Sequence, residues 1–125
     1  MNEISHREIA ISFLELAAAG KIREAYSKYV DPTFRHHNPF FPGDRESLML
    51  AMEENATKNP QKKLEIKRTL EDGDLVMTYS HVQQRLGDPG AAVVHIFRFG
   101  DGRIVELWDV GQAIPQDSPN ENGMF

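Results

Sequence analysis

The stretch VVHIFRFGDGRIVELWDV, Val93 to Val110, decides how this chain is read. Two runs of β-branched and aromatic residues flank Gly100-Asp101-Gly102, the signature of a β-hairpin. Yet the first run carries His95 and the second carries Asp109, and an imidazole and a carboxylate in an apolar sheet cost free energy unless they are hydrogen-bonded or used. The face each takes depends on the turn, because a slip of one residue sends every side chain to the other side. If Asp101 and Gly102 form a two-residue loop, Phe99 faces Ile104 and the two polar groups point apart. If Gly100 to Gly102 form a three-residue loop with Gly102 in a left-handed bulge, Phe99 faces Arg103, His95 faces Leu107 and Val93 faces Asp109. The second register is adopted because it gathers Val93, His95, Phe97, Val105 and Leu107 on one face. His95 and Asp109 are then diagonal neighbours, roughly 7 to 8 Å apart at the backbone.

Upstream of the hairpin the period is also two. Leu64, Ile66, Arg68 and Leu70 alternate with polar residues, EDGD supplies a turn, and Leu75, Met77, Tyr79, His81 and Gln83 share one face of the next strand. Tyr79 and His81 are therefore expected on the inner wall. Before residue 60 the period is helical. Ser5 and Glu8 have capping-box spacing, Ile9, Phe13, Leu16 and Ala17 recur on one face, and Gly20 suits a stop. A second helix runs from Lys21 to about Val30 and ends at Asp31-Pro32. TFRHHN reads as a short extended piece, with Phe34 and His36 opposite Arg35 and His37. Asp44 caps a third helix from Arg45 to about Lys58. Three N-terminal helices followed by antiparallel strands make an α+β fold, with the helices packed on a curved antiparallel sheet that encloses a pocket. Residues 1–112 are read as one domain and 113–125 as a polar, flexible tail.

Composition narrows the function. Apolar residues at 40% and charged residues at 26% of 125 describe one ordinary globular domain. A net charge of −5 argues against nucleic-acid binding, and the basic stretch QKKLEIKR alternates as a solvated strand face. There is no cysteine, so no disulfide, thiolate nucleophile or sulfur-ligated zinc is available. The N-terminal segment carries Glu3, Glu8 and Glu15 and lacks a basic start and an unbroken apolar run, which points to a cytoplasmic protein with no membrane partner.

HHNP, EDGDLVMTYSHV and HIFRFGDGRIVELWDVGQ together resemble the SnoaL-like polyketide cyclases, a branch of the NTF2-like superfamily. The resemblance is densest from about Thr33 to Gln112. It implies a cone-shaped α+β barrel with a deep pocket, commonly a homodimer through the sheet, working without metal or organic cofactor. In those cyclases an aspartate on the last strand is the acid/base of an intramolecular aldol closure, assisted by a histidine on the preceding strand; these fall on Asp109 and His95. His37 and Asn38 match the family's QHNP motif. Two positions depart: Leu107 stands where the HWD motif has histidine, and His95 stands where many relatives have aspartate.

Asp109 and His95 are thus the expected catalytic pair. Burial favours the neutral form of a carboxyl group, which suits proton transfer near neutrality. The expected substrate contacts are Phe97 and Leu107 beside the pair, Tyr79 and His81 on the neighbouring strand, His37, and the loop aromatics Phe40 and Phe41, placed to close over something apolar. His36 and His6 are read as surface residues, and Trp108 as core or dimer interface. The histidines lack the close spacing of a metal site, so none is expected. The ligand expected is a small apolar or polycyclic ketone, undergoing aldol cyclisation or isomerisation. The alternative is a non-catalytic ligand-binding or dimeric interaction module on the same fold.

Overall fold

The computed structural model describes residues 4–125. Helix α1, His6–Ala18, starts where Ser5 Oγ accepts the Glu8 backbone N–H at 3.1 Å. Helix α2, Ile22–Tyr29, passes directly into strand β1, Val30–His36, as Pro32 requires. Asp44 accepts the Ser47 N–H at 3.0 Å and opens α3, Arg45–Lys58. Strands β2 (Lys63–Asp72), β3 (Leu75–Gln83), β4 (Ala91–Gly100) and β5 (Arg103–Ala113) follow. Among the described residues no helix is long and apolar enough to cross a membrane.

The strands form one sheet in the order β1-β5-β4-β3-β2. β2 to β5 are antiparallel neighbours, but β1 runs parallel to β5, so the sheet is mixed rather than wholly antiparallel. No hairpin joins these two strands; α3 and three strands intervene, and nothing local sets their relative direction. The sheet is also open. β1 and β2 are its edges, and the helices, not further strands, complete the cone. Phe13 of α1, Tyr26 of α2 and Phe97 of β4 meet edge-on, with ring centroids 5.6 and 5.9 Å from Phe13. All three are buried, each stabilising the fold by about 1.5–3 kcal/mol relative to an exposed ring.

The inner face of β3 is Val76, Thr78, Ser80 and Val82, all buried. Tyr79 and His81 therefore lie on the outer face, contrary to the alternation chosen above. That face is apolar too: Met77 pairs with Ile96 and Ile96 with Trp108, while Tyr79 pairs with Val94 and Val94 with Val110. A strand apolar on both sides gives no sign of which side is the core. On β2 the register shifts between Ile66 and Arg68, setting Leu70 opposite Met77 and Arg68 opposite Tyr79. The chain's last residues return to this face. Tyr79 donates to the Met124 carbonyl at 2.6 Å, and the Phe125 ring lies 5.0 Å from His81.

Candidate active site

The β4–β5 turn differs from the expected one. Gly100 pairs with Arg103 and Phe99 with Ile104, so the loop is the two residues Asp101 and Gly102, both left-handed with φ of 51° and 78°. This is the type I′ pattern, whose twist suits a hairpin. Taken alone, that turn would aim His95 and Asp109 apart. A bulge reverses the outcome: Arg98 pairs with Glu106, leaving Val105 without a partner, and beyond it every residue of β5 regains the inner or outer face that the longer loop would have given it. His95 faces Asp109 directly, Phe97 faces Leu107 and Val93 faces Gly111, in place of the diagonal arrangement.

Thr78, His95 and Asp109 form one rung across β3, β4 and β5. Asn38, two residues beyond β1, extends it by donating from Nδ2 to Asp109 Oδ2 at 3.0 Å. The loop fixes this amide. Asn38 Oδ1 accepts the Phe40 N–H at 3.0 Å, so the amino end must face Asp109. The Asn38 backbone N–H in turn donates to His36 Nδ1 at 3.1 Å, and His36 Nε2 donates to the Pro42 carbonyl at 2.7 Å. His36, expected at the surface, is a buried strut that holds the loop carrying Asn38.

These groups face a cavity of about 310 Å³ between the sheet and the helices. Its wall is apolar, with Phe13, Leu14, Leu48, Met52, Val82 and Leu107, and its polar lining comprises Asn38, His95 and Asp109 together with Asn55, Lys62 and Gln84. Burial holds the His95 imidazole down to about 4, against the opposing pull of Asp109 and aided by Lys62, so the ring is neutral at pH 7. Among the described residues its Nδ1 is enclosed with no hydrogen-bond partner, and so is Thr78 Oγ1 beside it.

Asp109, His95, Leu107 and Phe41 therefore come together at the cavity. Phe40 points to solvent at 83% exposure. Phe97 is fully enclosed in the core behind His95, its ring centroid 6.0 Å from the imidazole. His37 lies outside, stacked on Trp108 at 4.9 Å and 2.6 Å from the carboxylate of Glu106. That hydrogen bond, with Arg98 and Arg35, holds Glu106 down to about 2. His81 donates to the Pro89 carbonyl at 2.8 Å on the outer face, and His6 stacks on Phe99 at 4.3 Å. Asn38, Lys62 and Gln84 were not among the expected site residues. Asn38 was marked by HHNP; Lys62 and Gln84 sit where strands begin and end, and only the register brings them to the cavity.

Residues 10–107 match the model of the SnoaL-like domain. No curated protein matches the chain by sequence. Among solved structures, an NTF2-like protein of unknown function from Cytophaga hutchinsonii superposes with a TM-score of 0.73 at 18% identity, over 89% of this chain and 93% of that one. A SnoaL-like protein of unknown function from Burkholderia thailandensis gives 0.72 at 18% identity, over 89% and 100%. A candidate polyketide cyclase from Bacillus cereus gives 0.71 at 24% identity, over 83% and 72%.

Proposed function

The chain belongs to the SnoaL-like domain family, and with Asp109, His95 and Asn38 on one rung of its cavity we propose that it is a cofactor-independent enzyme acting on a small cyclic ketone. Asp109, oriented by the Asn38 amide, removes a proton from the carbon alpha to the carbonyl. His95, kept neutral by burial, offers an N–H to the oxygen as enolate charge develops, the role a neutral imidazole can fill without losing its proton. The enolate carbon then attacks a second carbonyl of the same molecule and Asp109 returns its proton to the alkoxide, which closes a ring; returned to a different carbon, the same proton gives an isomer. No redox partner is needed for either outcome.

The observation that carries this reading is the direct pairing of His95 with Asp109 on the cavity face. Positioned acid/base action of this kind supplies about 10² to 10⁴ in rate. The test is deuterium uptake from D2O into β-tetralone, a bicyclic ketone with an acidic benzylic C–H. Exchange that exceeds buffer and scales with protein concentration supports the enzyme. Saturable binding without exchange identifies a binding module instead.

The apolar outer face of the sheet, with Val110 70% and Leu70 64% exposed, supports a homodimer that buries it. The net charge of −5 supports a small-molecule role over nucleic-acid binding.

A further inference from the structure

The cavity also holds polar groups that the reaction proposed above leaves idle. Lys62 precedes β2, whose first pair is Lys63 with Gln83, so Lys62 and Gln84 flank the same end of the sheet, several rungs from Thr78, His95 and Asp109. Both line the cavity, as does Asn55 of α3. The Lys62 ammonium donates to Asn55 Oδ1 at 3.0 Å and, among the described residues, forms no ion pair. Two of its three donors are left over. The Asn55 amide, whose oxygen accepts from Lys62, has its amino group to donate beside the ammonium.

A cation drawn out of water without a counter-ion is costly, and an anion supplied by the ligand offsets the cost. Burial lowers the Lys62 ammonium from its ordinary value, which is the same cost seen from the proton's side. The apolar wall of the cavity, with Phe13, Leu14 and Leu48, fits a ring system. Among the described residues the only carboxylate lining the cavity is Asp109, which would repel an anion beside it, so the ligand's acid group is turned toward Lys62.

We propose that the ligand is a carboxylate-bearing cyclic compound, its acid group held by Lys62 with the Asn55 amide alongside and its reactive carbonyl directed to Asp109. This deepens the reading of the site as a ketone-acting enzyme, yet binding of the acid end requires no turnover. Lys62 is a specificity residue: it selects and orients, and the proton transfers belong to Asp109.

The test is calorimetric binding of β-naphthoate and of its methyl ester, the same bicyclic shape without the charge, to the whole chain. The wild type is expected to favour the acid by roughly tenfold or more, the range of a charge-assisted hydrogen bond. Lys62→Met should lose that preference while keeping its affinity for the ester, and Lys62→Arg should retain most of it. Circular dichroism on each variant reports whether the fold is intact, and the wild-type comparison needs no variant at all. Equal affinity of the wild type for acid and ester, failure to bind the acid at millimolar concentration, or a preference that survives in folded Lys62→Met each overturns the proposal. Any of these results can coexist with Asp109-dependent exchange of β-tetralone, so its failure is separate from failure of the enzyme reading.

Discussion

His95 and Asp109 are direct cross-strand partners because Val105 has none. The tight Asp101-Gly102 turn and the bulge at Val105 shift the register by compensating amounts, and the site depends on both. Glycine removal tests the turn. Gly102 has a φ of 78°, where a Cβ costs about 1–2 kcal/mol. Gly102→Ala should lower the thermal midpoint by a few degrees in a scanning calorimetry trace; an unchanged midpoint would mean that the ribbon does not depend on this turn.

Asn38 is a positioning residue, acting through the carboxylate that it holds. Asn38→Ala removes a hydrogen bond to a charged group, of order 1.5–3 kcal/mol where fully expressed. The β-tetralone exchange rate should fall roughly tenfold or more, with the loss in kcat rather than KM. A change confined to KM would make Asn38 a ligand contact instead.

Burial of His95 predicts a pH dependence of stability. In the unfolded chain this imidazole takes up a proton near 6.5, in the folded chain only near 4, so between those values protons favour unfolding. Its contribution is full above pH 6.5 and is lost as pH falls toward 4, by an amount of order 3 kcal/mol. Denaturant melts of wild type and His95→Gln across this window should converge as the acid penalty disappears from the variant. Parallel curves would show that His95 titrates alike in both states.

The sequence carried the architecture because its periods are clear: both caps, at Ser5 and Asp44, and the bounds of α3 follow from residue chemistry that acts locally. It brings Asp109, His95, Leu107 and Phe41 to the cavity, but not by the two-residue turn and bulge that place the first three. The compensation at Val105 has no signal of its own, since a bulge is chosen by tertiary pairing. The side that Tyr79 and His81 take is not legible, because Met77, Ile96 and Trp108 make the outer face as apolar as the inner one. The parallel pairing of β1 with β5, and with it the approach of Asn38 to Asp109, is a long-range contact that no local pattern encodes.

The outer face also predicts an assembly. Val110→Lys places a charge at a position 70% exposed in the single chain, so it should leave the fold intact and shift a dimer toward monomer in sedimentation velocity. A wild-type chain that sediments as a monomer at tens of micromolar would remove the homodimer from the account.

The proton itself is the most direct witness. In the β-tetralone exchange assay, Asp109→Asn keeps the shape of the side chain and can still accept from Asn38, but cannot act as base. Its rate should fall by about 10² to 10⁴, to or near that of buffer, with the ketone still bound. Exchange at the wild-type rate by a folded Asp109→Asn protein would contradict the assignment of Asp109 as the group that moves the proton.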